Sequence, residues 1–149
     1  MLNQDFKEFI QSLNENKVEY LVVGGYTVDF HGHPRYTKDI DIRLRPSKSN
    51  AQAIMATLVQ FGFGSLDIDT EDILHPDQII QLGYPPARID LLTTIPGVNF
   101  DECYQARIQA VMNGVTVSFI DLDNLKTNKR ASGRLQDLAD VESLESPSQ

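Results

Sequence analysis

Hydrophobic positions along this chain follow two periods, and the switches between them lay out its elements. Phe6, Phe9, Ile10 and Leu13 fall at i, i+3, i+4 and i+7, which predicts an opening amphipathic helix that ends near residues 14–16. Residues 18–23 are short, β-branched and apolar, as a buried strand requires, and Gly24-Gly25 ends them before one or two helical turns over residues 26–30. In residues 38–44 the period is two, so Asp39, Asp41 and Arg43 share one strand face while Ile40, Ile42 and Leu44 share the other. Ser47 caps a helix whose stripe of Ala51, Ile54, Leu58 and Phe61 reads as core and which Gly62 and Gly64 terminate. Short strands are expected around residues 66–68 and 79–82, joined by an acidic loop through His75-Pro76. Residues 88–92 alternate again, with Arg88 and Asp90 on one face and Ile89 and Leu91 on the other. The breakers Tyr84-Pro85-Pro86 and Ile95-Pro96-Gly97 bound that strand.

Farther on, residues 100–111 fit helix or strand equally. Gly114 sits between residues 110–112 and 115–120 as the turn of a hairpin whose second strand is the clearer one. Asp121 opens a helix with Leu122 and Leu125 inward and Lys126, Lys129 and Arg130 on a basic face. Gly133 breaks it before a final helix defined by Leu135, Leu138, Ala139 and Val141, and residues 146–149 form a loose tail. A chain of 149 residues supports one domain, here residues 1–145, with a real core but no large second module.

Composition narrows the function classes. Hydrophobic residues at 41% and charged ones at 23% are ordinary for a soluble globular protein. A net charge of -8 disfavours tight, sequence-independent binding to a nucleic-acid backbone, although a local basic patch could still bind one. The single Cys103 excludes an internal disulfide framework, and Asn3-Gln4-Asp5 is no start for a secretory signal. No apolar run approaches a membrane span. The expectation is a cytoplasmic protein without a membrane partner.

Candidate chemistry concentrates between residues 22 and 44. Glycines at 24 and 25 let backbone N–H groups and a helix N-terminus approach an anion, but they equally suit a tight strand-to-helix turn. Asp39 and Asp41 lie about 6 to 7 Å apart at their backbones on a strand whose other face is core. Two such charges repel unless a cation or an arginine compensates them, and a hard divalent ion shared with substrate phosphates is one solution. The other Asp-x-Asp runs fit blander roles: Asp67-Ile-Asp69 as a solvated acidic loop, Asp121-Leu-Asp123 as a helix cap. Should the Asp90 strand lie beside that of Asp39 and Asp41, three aspartates converge, the ligand set of a two-metal phosphoryl-transfer site with ions about 3.5–4 Å apart. Alternatively Asp90 forms a structural ion pair with Arg88 or Arg43. His31 and His33 invite a zinc reading, yet no cysteine or third histidine lies near them in sequence. Arg35 and Thr37 are stronger candidates for substrate contacts, because their loop leads into the carboxylate strand. His75 reads as an ordinary loop histidine that could line a pocket.

Val23-Gly24-Gly25 followed after thirteen residues by Asp39-Ile40-Asp41-Ile42 resembles the pattern of the DNA polymerase beta-like nucleotidyltransferase superfamily. Arg35-Tyr36-Thr37-Lys38-Asp39-Ile40-Asp41 is similar to small prokaryotic members, including those related to abortive-infection toxins of toxin–antitoxin pairs. Asp90 matches their third aspartate, and Lys126 with Arg130 matches a late Lys-x-x-x-Arg helix. The resemblance implies an α/β (α+β) nucleotidyltransferase fold, a small mixed sheet with helices packed on it. It also implies two Mg2+ ions, or Mn2+, held by Asp39, Asp41 and Asp90, and a nucleoside triphosphate bound by Gly24, Gly25, Arg35, Thr37, Lys126 and Arg130. The acceptor would be a protein, an RNA end or a small molecule, with a partner protein or a homo-oligomer helping to recognise it. Many members carry Ser where this chain has Gly25, so only backbone donors are available here. The basic cluster of Lys126, Lys129, Arg130 and Arg134 is either a triphosphate clamp or a solvated face paired with Asp137 and Asp140. The alternative function is a non-catalytic, nucleotide- or partner-binding member of a toxin–antitoxin-like module.

Overall fold

The structure, a computed structural model, describes residues 4–32, 39–63, 67–83 and 88–145. Its elements follow in the order α1 (Gln4–Glu15), β1 (Tyr20–Val23), α2 (Gly25–Phe30), β2 (Ile40–Leu44), α3 (Lys48–Gln60), α4 (Thr70–Leu74), β3 (Ile79–Leu82), β4 (Ile89–Leu92), α5 (Phe100–Gln105), β5 (Ile108–Met112), β6 (Val115–Phe119), α6 (Leu122–Ser132) and α7 (Leu135–Glu145). Several starts are set by short polar side chains that accept from the first turn: Ser47 for α3, Asn99 for α5 and Asp121 for α6. Gly133, left-handed at φ 70°, stops α6 as the sequence predicts.

The strands form one mixed sheet in the order β3-β4-β2-β1-β6-β5. β2 pairs parallel with β4, and β1 pairs parallel with β6; the remaining neighbours run antiparallel. Both sheet faces carry helices. Ile40, Ile42 and Leu44 of β2 join Tyr20 and Val22 of β1 in a core shared with α1, α3 and α4. Leu21 and Val23, the alternate residues of β1, face a second core with Val28 of α2, Phe100 and Cys103 of α5, Leu125 of α6 and Leu144 of α7. Both faces of β1 are thus covered, which explains why that strand is continuously apolar rather than alternating. The polar residues of β2 point toward the second layer, so any chemistry on them lies where α6 and α7 approach the sheet.

The ambiguous stretch resolves into α5 followed by β5, and the β5–β6 hairpin turns through Asn113-Gly114, both at positive φ (54° and 81°). Three expectations change. Residues 67–69 are not strand; Asp69 instead caps α4 in a reciprocal capping box with Asp72, so the acidic run serves to start a helix that buries Ile73. The first strand begins at Tyr20, because Lys17 adopts φ 58° and the Val18 N–H returns to the Leu13 carbonyl as the chain leaves α1. On α7 the inward stripe is Asp137, Asp140, Val141 and Leu144, while Leu135 and Leu138 are exposed. Leu66, the break at residues 84–86, Gly64 and the tail fall outside the described residues.

Candidate active site

Strand register assembles the site. β2 and β4 run parallel with Asp41 opposite Asp90, and Asp39 precedes β2 on the same face. On the other side of β2, β1 places Val23 opposite Asp41, so the chain leaves β1 through Gly24 directly beside that carboxylate. Gly24 has φ 70° and ψ -150°, a region essentially reserved for glycine, and a Cβ there would lie 2.3 Å from Asp41 Oδ2. Backbone conformation and contact with the acid therefore each demand glycine. α2 starts at Gly25, and its ladder begins with the Thr27 and Val28 N–H groups donating to the Gly24 carbonyl. The N–H groups of Gly25 and Tyr26 precede that ladder, as first-turn donors must.

Among the described residues, one cation pairs with two of these acids. Arg88 donates from Nε to Asp90 Oδ1 at 2.8 Å and from Nη2 to Asp90 Oδ2 at 3.2 Å, and the same Nη2 lies 3.0 Å from Asp39 Oδ2. Asp41 is pushed up to about 6, first by burial, then by the charges of Asp90 and Asp39 and a hydrogen bond with Asp90; the Arg88 charge opposes this only weakly. Among the described residues no group of three or more carboxylate, imidazole or thiolate side chains is already arranged around a metal position. The donor set nonetheless suits a hard divalent cation: three carboxylates share one cavity, burial and mutual repulsion hold Asp41 well above its ordinary value, and Arg88 is the cation that pairs with them among the described residues.

Opposite the acids stands a second charged group from α6 and α7. Lys129 is buried and donates to Asp137 at 3.0 Å and to Asp140 at 2.9 Å. Asp137 also accepts from Ser132 Oγ at 2.5 Å and from Arg134 Nε at 2.9 Å. A cavity of about 370 Å³ lies between the two groups, lined by Gly24, Gly25, the three aspartates, Arg88, Lys129 and Arg134 among others. It adjoins a larger one of about 580 Å³ that shares Gly24, Asp41, Lys129 and Arg134 and has apolar walls from Val23, Ile79, Leu92 and Ile95.

No family model matches the sequence, and no curated protein matches it. Solved structures do resemble it. A candidate nucleotidyltransferase from Thermotoga maritima, 13% identical, superposes with a TM-score of 0.60 over 93% of this chain and 87% of that one. The lincosamide antibiotic adenylyltransferase LnuA, in a lincomycin-bound structure, is 14% identical with a TM-score of 0.57 and 98% coverage of both chains. The antibiotic-resistance factor ANT(2'')-Ia is 11% identical, with a TM-score of 0.57 over 94% of this chain and 80% of that one. The chain has the nucleotidyltransferase fold.

Within this nucleotidyltransferase fold the residues singled out from sequence are distributed unevenly. Gly24, Gly25, Asp39, Asp41 and Asp90 line the smaller cavity together. The ion pair between Asp90 and Arg88 exists as well, whereas Arg43 turns away and donates to the carbonyls of Leu44 and Thr93. Lys126 and Arg130 line neither cavity; Arg130 is exposed and pairs with Glu145 of α7. Lys129 and Arg134 line both cavities, Lys129 because α6 turns it inward. Spacing carried that signal: Leu122, Leu125 and Lys129 continue one helical stripe, and Asp137 and Asp140 sit on the apolar stripe of Val141 and Leu144. Arg35, Thr37 and His33 lie outside the described residues. His31 donates from Nε2 to the Ile120 carbonyl at 3.2 Å, a contact that ties α2 to the end of β6, and His75 ends α4 away from both cavities.

Proposed function

We propose that this protein transfers a nucleoside monophosphate from a nucleoside triphosphate to a hydroxyl of a small-molecule acceptor. The observation that carries this reading is the trio Asp39, Asp41 and Asp90, drawn to one cavity by parallel strands, with Arg88 paired to two of them. In this reading Asp39, Asp41 and Asp90 hold Mg2+, which stabilises charge on the leaving pyrophosphate and eases deprotonation of the acceptor hydroxyl. Gly24 admits the phosphates close to Asp41 because it carries no Cβ, and the N–H groups that open α2 donate to them. Arg134, whose side chain is 80% exposed at the cavity lip, adds a positive charge, while Lys129 keeps the α7 wall in place.

A small acceptor is favoured on three counts. The 580 Å³ cavity has the size of a small-molecule site and partly apolar walls. A net charge of -8 works against a polyanionic acceptor such as RNA. The similar structure of LnuA is that of an adenylyltransferase for a small antibiotic. The test is magnesium-dependent thermal stabilisation by ATP, CTP, GTP or UTP, followed by transfer of label from the α-phosphate to a panel of hydroxyl compounds. Stabilisation by at least one nucleotide, with transfer lost in Asp39→Asn, supports the proposal; indifference of the wild type to all four sinks it. One observation favours a second reading, a nucleotide- or partner-binding member without activity, as in a toxin–antitoxin-like module: Arg88 already neutralises part of the acid set. Nucleotide binding without transfer to any acceptor would select it.

A further inference from the structure

We infer that Arg88 is an exchangeable internal counter-cation, which holds the carboxylates while no metal is bound and passes to the nucleotide's phosphates when a divalent ion takes them over. This rests on the function proposed above and concerns a residue outside the aspartate trio. Arg88 uses both oxygens of Asp90 and one of Asp39, oxygens on which a divalent ion would also draw, and its Nη2 lies within 3.2 Å of both these carboxylates. Guanidinium and ion therefore compete there, through shared oxygens and like charge. A lysine could yield by losing its proton, but a guanidinium stays charged at every working pH, so Arg88 has to move. Its surroundings permit that: the side chain is 27% exposed, opens onto the 370 Å³ cavity and stands immediately before β4.

Once displaced, the charge needs an anion, and the cavity it faces also contains Gly24, Gly25 and Arg134. A polyphosphate suits that position, because a planar fork of donors matches phosphate oxygens two at a time. Metal and polyphosphate then assist each other: the metal frees Arg88 for the phosphates, and the phosphates hold Arg88 off the metal's ligands. Such coupling is reciprocal, and for one charged contact it amounts to roughly tenfold in each affinity.

The experiment titrates Mn2+ into the metal-free full-length chain, followed by the paramagnetic signal of free Mn2+, for wild type, Arg88→Gln and Arg88→Lys. Magnesium tripolyphosphate, which has no base to be recognised, is then titrated in excess magnesium and followed by calorimetry. Arg88→Gln is expected to bind Mn2+ alone about tenfold more tightly and magnesium tripolyphosphate about tenfold more weakly. Arg88→Lys, which keeps the charge but loses the fork, should shift both in the same directions by about threefold, and it decides the matter should Arg88→Gln fail to fold. Unchanged or weakened Mn2+ binding in these variants, with wild type binding the ion, would make Arg88 a fixed structural clamp and overturn the inference alone. Failure of wild type and variants alike to bind Mn2+, with or without tripolyphosphate, would overturn the metal-dependent function as well.

Discussion

Two charged groups face each other across the smaller cavity, and they are built on opposite principles. On β2 and β4, three carboxylates meet the Arg88 guanidinium among the described residues, and Asp41 is pushed up to about 6 by burial and by its acidic neighbours. Between α6 and α7, Asp137 and Asp140 meet Lys129 and Arg134, with Ser132 adding a further donor. Burial pushes Asp137 up too, but the hydrogen bonds from Ser132, Lys129 and Arg134 outweigh it and hold the acid below its ordinary value. One residue type thus shifts in opposite directions a short distance apart. The α6–α7 group surrounds its acids with donors and supports a wall; the strand group keeps unfavourable charge in place at Asp41, as binding and catalytic sites commonly do.

The sharpest way to break this comparison is to unbalance the balanced side. Lys129→Ala leaves two buried carboxylates without their ammonium and should cost about 3–5 kcal/mol in urea unfolding, with a smaller loss for Lys129→Met. An unchanged unfolding midpoint would show that α6 and α7 do not depend on this node. The reverse holds across the cavity. Asp41→Asn relieves repulsion, so the metal-free protein should melt no lower than wild type, while transfer falls roughly a thousandfold through lost charge stabilisation. A variant that loses activity only because it unfolds would contradict this.

pH separates the two groups by sign. The folded-state value of Asp41 lies above its unfolded one, so its contribution is fully present below about pH 4 and is lost as pH rises through about 6, by up to about 3 kcal/mol. Asp137 is lowered, so its contribution is present above the ordinary carboxylate value and disappears as pH falls below it. Melting temperature against pH, in chelator, should show the first slope flattened by Asp41→Asn and the second by Asp137→Asn. The smallest effect belongs to Arg130, whose exposed pair with Glu145 should contribute about 0–1 kcal/mol. Arg130→Ala should also leave magnesium tripolyphosphate binding unchanged in calorimetry, whereas Arg134→Ala should weaken it.

Much of this site can be read along the chain, and the limits are instructive. Alternation in β2 and β4 is a local property, enforced by Ile40, Ile42, Ile89 and Leu91 seeking the core, so the faces of Asp39, Asp41 and Asp90 follow from spacing alone. The glycine at 24 is visible as a strand breaker, but not as the residue that must clear Asp41 Oδ2, since that contact joins β1 to β2. The basic helix is visible as well, but not which of its cations turns inward: the resemblance points to Lys126 and Arg130, and the fold buries Lys129. On α7, Leu135 and Leu138 suggested the wrong face, because the hydrophobic gain of two leucines on a helix near the surface is smaller than the cost of leaving Lys129 unpaired.

The sequence by itself determined most of the element types, the apolar and acidic faces of the two key strands, and the glycine turn that precedes them. These depend on backbone preferences and on periods within a few residues. Only the tertiary structure decided that β4 lies beside β2 in the register that sets Asp90 opposite Asp41, that Arg88 joins Asp39 to Asp90, and that α7 turns its acids toward Lys129. Those outcomes depend on which distant segments share a buried charge, and a charge taken out of water must find its partner wherever the fold brings one near.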